Sequence, residues 1–175
     1  TINGTIVKSS TNFGIYLSTS SEVSIQNVVC SSNTFDGIVT EGCSNVTIMG
    51  AVCSSNSRYG ISVVATGTNY NESITVIGCI IDLNSEHGIN ATTCNALKLI
   101  GNTITRSGFN GIFLNKTSDS TVTDNLIAGS SQALSATYAG IRLGGTGADR
   151  NVLAGNKVFK STRFNSGTAQ AGGAT

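Results

Sequence analysis

Six Gly-Ile pairs recur along the chain: Gly14-Ile15, Gly37-Ile38, Gly60-Ile61, Gly88-Ile89, Gly111-Ile112 and Gly140-Ile141, spaced by 23, 23, 28, 23 and 29 residues. A second signal keeps step with the first. It reads Ile25–Val28–Cys30, Ile48–Ala51–Cys53, Val76–Cys79–Ile81, Leu99–Asn102–Ile104, Val122–Asn125–Ile127 and Leu153–Asn156–Val158, with Ile2–Thr5–Val7 as a partial first copy. A fixed period of this length is the mark of a solenoid. Each copy holds only short apolar clusters, such as Ile38-Val39 and Val46-Thr47-Ile48. No copy can bury a core alone, so each must pack against the copies above and below it.

Inside each cluster apolar and polar residues alternate: Ile15, Tyr16, Leu17, then Val23, Ser24, Ile25. A period of two belongs to strands. Three short strands per repeat, joined by Gly, Ser and Asn turns, predict one coil of a parallel β-helix. The fold class is all-β, a single-stranded helix of six to seven coils of about 23 residues. In this register Asn102, Asn125 and Asn156 form one column, where stacked side chains can hydrogen-bond each other and the turn backbone. The glycine before each isoleucine is expected to supply a positive-φ bend.

Composition excludes several classes. A net charge of +1, with 11% of residues charged, leaves no electrostatic footprint for nucleic acid. No apolar run is long enough for a membrane helix. An apolar content of 39% and the strict period argue against disorder. Cys30 and Cys53 fall in one inward slot of adjacent coils, and strands about 4.8 Å apart suit a disulfide poorly. Cys43 and Cys94 share a slot two coils apart. All five cysteines are therefore expected as buried thiols. No Cys/His cluster has ligand spacing, so neither a metal nor a cofactor is expected. The chain opens inside a repeat without a capping segment, which suggests a piece of a longer chain or an end covered by another subunit. The β-helix is expected over residues 1–160, and the Gly- and Ala-rich 161–175 as a tail or linker.

The pattern GI-x-L … V-x-I-x-x-N-x-I resembles the right-handed parallel β-helix repeat of the pectate-lyase-like superfamily. That superfamily includes phage tailspikes, polysaccharide lyases and hydrolases, mannuronan epimerases and periplasmic NosD-type proteins. The resemblance covers roughly residues 1–160. It implies the fold and, as a class of partner, a polysaccharide. Of the hydrolase segments only Glu86-His87-Gly88 is similar to the G-H-G piece. The D-P-H-D of epimerases and the W-x-D-H of pectate lyases have no counterpart, since the chain has neither Pro nor Trp.

Departures from the period point to a face. Three coils carry insertions, Val64–Asn71, Gly129–Ala139 and Gly144–Asn151, and all three border the sheet built from the Gly-Ile strands. Insertions gathered on one face often mark the binding face. Alternation turns Asn90, Thr92, Phe113, Asn115 and Arg142 outward there, with Tyr70, Asp149 and Arg150 able to reach in from the insertions. Just before this strand run two more columns expected to face outward. They are Phe13, Asp36, Tyr59, His87, Asn110 and Ala139, and Asn12, Phe35, Arg58, Glu86, Phe109 and Tyr138. Rings stack on sugar faces, and carboxylates, amides and guanidinium groups bind hydroxyls. The candidate substrate-binding residues are Tyr59, Arg58, Asn90, Asn110, Phe113, Asn115 and Arg142. Asp36 and Glu86, two coils apart, and the single histidine, His87, are the candidate acid-base groups.

The reading is an extracellular or virion-surface module that recognises a polysaccharide and, if catalytic, degrades it. Two alternatives stand beside it: a structural shaft built as a trimer or an end-to-end stack, and a lyase or hydrolase with an unfamiliar site.

Overall fold

The computed structural model describes residues 1–133 and 138–159. Residues 161–175, expected as a tail, and the middle of the insertion before Gly140 lie outside them. Among the described residues there is no helix. The named strands pair in parallel and in register, coil on coil: Ile38 on Ile61 on Ile89 on Ile112 on Ile141, and Cys30 on Cys53 on Ile81 on Ile104 on Ile127. Seven strands, from Ile6–Lys8 to Lys157–Phe159, make one sheet. The other thirteen form a second, bent sheet in which the long strands Asn71–Ile77, Ile89–Asn95 and Ile112–Ser118 carry the chain round a corner. The expected right-handed parallel β-helix, with three strands to a coil, is the observed architecture.

The core is the set of inward columns. Ile25, Ile48, Val76, Leu99 and Val122 stack as one fully buried ladder, and Ile38, Ile61, Ile89 and Ile112 as another. Complete burial of such a side chain contributes about 1.5–3 kcal/mol. The corners are polar yet buried, so they carry their own hydrogen bonds. Asn102 donates from Nδ2 to Oδ1 of Asn125 at 2.9 Å, and Asn125 does the same to Asn156 at 2.9 Å. A second ladder keeps the same period over three coils: Asn33 donates to Asn56 and Asn56 to Asn84, each at 2.9 Å, four residues before Gly37, Gly60 and Gly88. In each column Oδ1 also accepts a backbone N–H from the coil below, as Asn56 does from Asn33 at 3.1 Å.

The Gly-Ile glycines do not have positive φ, contrary to expectation. They are required by proximity. A Cβ on Gly88 would lie 2.7 Å from the carbonyl oxygen of Gly111 and against Cγ2 of Ile104. The positive-φ corner is another column, Gly4, Asn27, Gly50, Gly78, Gly101, Asp124 and Gly155, where Asn and Asp substitute for glycine at φ of 50° and 58°. The two classes of glycine respond to different chemistry. Gly88→Ala is expected to destabilise the chain by about 1–3 kcal/mol through overpacking. Gly78→Asn, with nothing within 4 Å of its Cβ and Asn27 as precedent, is expected to change stability little. Paired urea melts that rank the two the other way would contradict the stacking geometry.

Cys30 and Cys53 are in register, Cys43 and Cys94 are separated by Asn71, and all five cysteines are buried free thiols. Alkylation under denaturing, non-reducing conditions is expected to modify all five. A smaller mass shift would reveal a disulfide.

Candidate functional site

The corner before the Gly-Ile strands gathers rings and guanidinium groups in consecutive coils. Phe13 stacks on Tyr16 at 5.4 Å between centroids and leans on Phe35 at 5.5 Å. The Arg58 guanidinium sits 6.0 Å from the Phe35 centroid and 4.8 Å from that of Tyr59. Tyr59 stacks on His87 at 5.5 Å with the planes 13° apart. His87 meets Phe113 at 5.0 Å and the edge of Phe109 at 5.4 Å, Phe109 stacks on Tyr138 at 4.5 Å, and Arg142 lies 5.4 Å over Phe113. The result is an unbroken corridor from the coil of Gly14 to the coil of Gly140. At about 4.8 Å per coil it runs for roughly 24 Å.

Beside the corridor runs the row Tyr16, Val39, Ser62, Asn90, Phe113 and Arg142. It is large at its ends and small in its middle, so its middle is a trough. The Tyr16 hydroxyl donates to the Glu41 carboxylate and closes one end. Hydrogen bonds from Tyr16 and Thr66 hold the Glu41 carboxyl below its ordinary pKa.

The structure corrects the expectation that Asp36, His87, Asn110 and Asn90 face freely outward. They are 2%, 8%, 1% and 5% exposed. Three of them face the next coil and satisfy its backbone. Asp36 accepts the Tyr59 N–H at 3.3 Å, His87 Nδ1 accepts the Asn110 N–H at 3.1 Å, and Asn110 Oδ1 accepts the Ala139 N–H at 2.8 Å. These are corner groups whose N–H would otherwise be buried unpaired. Asn90 lies on the trough floor between Ser62 and Phe113. Tyr59, Arg58, Glu86, Phe113 and Asn115 are half-buried and Arg142 is exposed, so these six line the surface. Phe35, Phe109, Tyr138, Tyr16 and Glu41 join them in contact. The first three stood in the columns already visible in the sequence, and Tyr16 stands in the column of Phe113.

Burial raises the Asp36 carboxyl, Glu86 adds to the rise, and Arg58, 3.6 Å away, and the Tyr59 N–H oppose it. Burial also raises the Tyr59 phenol. Burial, with the Arg142 charge nearby, lowers His87 to about 4. With Nδ1 accepting an amide N–H, the neutral ring carries its proton on Nε2.

The buried histidine makes stability pH-dependent. Its folded pKa lies below the ordinary 6.5, so the unfolded chain binds the extra proton. The stabilisation is fully present above pH 6.5 and is lost as pH falls towards 4. It amounts to about 2–3 kcal/mol. His87→Asn, which places the side chain of Asn110 in the same column, is expected to keep the N–H bond and flatten this part of the urea-midpoint profile. An unchanged slope between pH 4 and 6.5 would refute it.

Stacked coils define the class: a right-handed parallel β-helix protein, here with an outward aromatic corridor along one corner. Residues 1–71 and 36–171 match the family model for NosD, periplasmic copper-binding protein. The chain belongs to the NosD family. No curated protein matches the sequence. Among solved structures, the A-module of mannuronan C-5 epimerase AlgE4 from Azotobacter vinelandii is 18% identical with a TM-score of 0.74, covering 90% of this chain and 52% of its own. The periplasmic alginate epimerase AlgG is 13% identical with a TM-score of 0.79, over 91% of this chain and 39% of its own. The enzymatically active domain of bacteriophage CBA120 tailspike protein 2 is 12% identical with a TM-score of 0.61, over 87% and 22%. The chain therefore spans about half or less of each of these structures, and the likeness is one of fold.

The family's description raises the question of copper. Among the described residues no group of three or more His, Cys, Asp or Glu could hold a metal ion. Thiolates are the ligating form of cysteine, but burial pushes Cys79 up to about 11 and Cys94 up to about 12, and of the Cys30–Cys53 pair the contact lowers Cys30 only while raising Cys53. His87 has Nδ1 engaged, and Met49 faces outward on another sheet face. The donor set of the described residues does not fit a copper ion.

Proposed function

We propose that the corridor binds a polysaccharide chain outside the cytoplasm, in the periplasm or at a cell or virion surface. The observation that carries this reading is the run of Tyr16, Phe35, Arg58, Tyr59, Phe109, Phe113, Tyr138 and Arg142 along one corner. Ring faces offer apolar platforms to pyranose rings, and stacking of this kind tolerates a repeating ligand. Guanidinium groups and the half-buried Glu86 and Asn115 supply hydrogen bonds to hydroxyl or carboxylate substituents. The periplasmic description of the family and the mannuronan and alginate epimerase names among the similar folds support the same class of partner and place.

In this reading Tyr59 and Phe113 are the platforms, and Arg58 and Arg142 the polar contacts. Asn90 shapes the trough floor and Asn110 positions His87. If the protein also turns over its glycan, Glu86 is the accessible carboxylate. The His87 Nε2–H, on a neutral ring, is then a hydrogen-bond donor to the glycan, and Asp36, tied to Arg58, holds that cation in place.

A glycan array followed by calorimetry tests the binding. Tyr59→Ala and Phe113→Ala are each expected to weaken it about tenfold, since aromatic contacts at a binding site are commonly worth a kcal/mol or more. Glu86→Gln is expected to spare binding and to abolish release of new sugar ends if catalysis occurs, whereas Asp36→Asn, which frees Arg58, is expected to weaken binding. Absence of binding to every polysaccharide, with trimers or end-to-end polymers under the electron microscope, would favour the structural shaft instead.

A further inference from the structure

Two of the three insertions end at one place, far from the aromatic corner. The Val64–Asn71 insertion is closed by two backbone hydrogen bonds between Thr66 and Asn69, at 3.0 and 2.9 Å. Its last residue, Asn71, is fully buried and accepts the Cys43 N–H at 2.9 Å. The Gly144–Asn151 insertion ends in the same manner. Asn151 accepts the Ser120 N–H at 3.0 Å and donates to the Thr117 carbonyl at 2.9 Å. In each case an asparagine plugs into the corner backbone and the residue before it, Tyr70 or Arg150, is exposed.

Between these two side chains lies a cavity of about 350 Å³. Its floor is the bend of strands Ile89–Asn95 and Ile112–Ser118, where Thr93 and Lys116 turn the backbone at φ of 56° and 52°. Tyr70, 60% exposed, forms one wall, and Arg150, held by Asp119 at 2.6 and 2.7 Å, forms the other. Glu72, Asn95, Lys116 and Ser118 are also in the lining. Glu72 and Lys116 make no ion pair among the described residues.

We propose that this cavity is a second saccharide subsite, holding one or two sugar units of a glycan that reaches it from the corridor. The proposal rests on the glycan reading of the corridor. The lining decides the ligand class. An isolated anion would face Glu72 and Asp119, and a metal cation would face Lys116 and Arg150. A hydroxyl-rich ring suits both signs at once: its hydroxyls donate to Glu72 and accept from Lys116, while one face covers the Tyr70 ring. The volume is in the range of small-ligand sites. Strands Ile89–Asn95 and Ile112–Ser118 run from the corridor to the cavity, a path of up to about 20 Å at ~3.3 Å per residue. The outward Thr92 and Asn115 lie along it. The glycan therefore runs along the coils here, transverse to the axis, instead of following only the axis.

The test is an NMR titration of the ¹⁵N-labelled chain with glucose, galactose, N-acetylglucosamine and glucuronate. It is followed by calorimetry with di- to hexasaccharides from any array-positive polysaccharide. At least one monosaccharide is expected to shift the Asn95 side-chain amide and the Arg150 Nε signal. Tyr70→Ala, whose ring is exposed and whose fold the same spectrum verifies, is expected to remove those shifts. It should also weaken hexasaccharide binding about tenfold. Shifts at Tyr59 and Phe113 with a silent cavity would overturn this inference and leave the corridor standing. Shifts at the cavity with a silent corridor would overturn the corridor reading and the continuous path, and retain the cavity as a sugar site. Silence at both, for every sugar, would overturn both.

Discussion

In-register contact between one coil and the next, at a single strand spacing, is the constraint on which this molecule depends. No coil has a core of its own. Ile112 is buried because Ile89 lies below it and Ile141 above it. The same closeness dictates residue types that no single coil would need. A glycine stands before each of these isoleucines because a neighbouring atom, the next carbonyl for Gly88 and Gly111 and the Val158 side chain for Gly140, lies where a Cβ would go. Asparagines line two corners because a primary amide can donate to the next amide, accept from the preceding one and still take a backbone N–H.

The surface corridor is a product of that register. Parallel stacking places one residue of every coil in the same column, so an aromatic in several copies becomes a continuous run. The column holding Asp36, Tyr59, His87 and Asn110 shows how structure and ligand chemistry share positions. Asp36, His87 and Asn110 cap the backbone of the coil above, while Tyr59, at the same position, presents a ring. Burial as a cap is also what lowers the His87 pKa and keeps the ring neutral near pH 7. A side chain can thus be fixed by a structural bond at Nδ1 and leave Nε2 for other use.

The insertions lie off the period and cost ordering entropy that a plain repeat avoids. Two of them are each pinned by an asparagine that the repeat itself does not use, Asn71 and Asn151, and both border one cavity. A repeat needs neither loop for stacking. Their convergence is the feature of the fold that stacking alone leaves unexplained.

Much of this was legible in the chain. The period of Gly-Ile and of Ile25, Ile48, Val76 and Leu99 determined the coil, the register, the inward columns and the slots of the cysteines. Identical spacing leaves a parallel stack no other way to bury the same residues. The columns containing Tyr59, Phe113 and Arg142 followed from the same count. Burial at the corners did not. Alternation tells inside from outside along a strand, but at a turn the side chain can swing towards the next coil, as Asp36, His87 and Asn110 do. The Asn33–Asn56–Asn84 ladder keeps the period but is cut short: its column continues as Ser107 and Ser130, and only the stacked backbone shows which amides meet. The cavity between Tyr70 and Arg150 was equally out of reach. The two residues are 80 positions apart in sequence, and only the path of each insertion round its corner brings them to face each other.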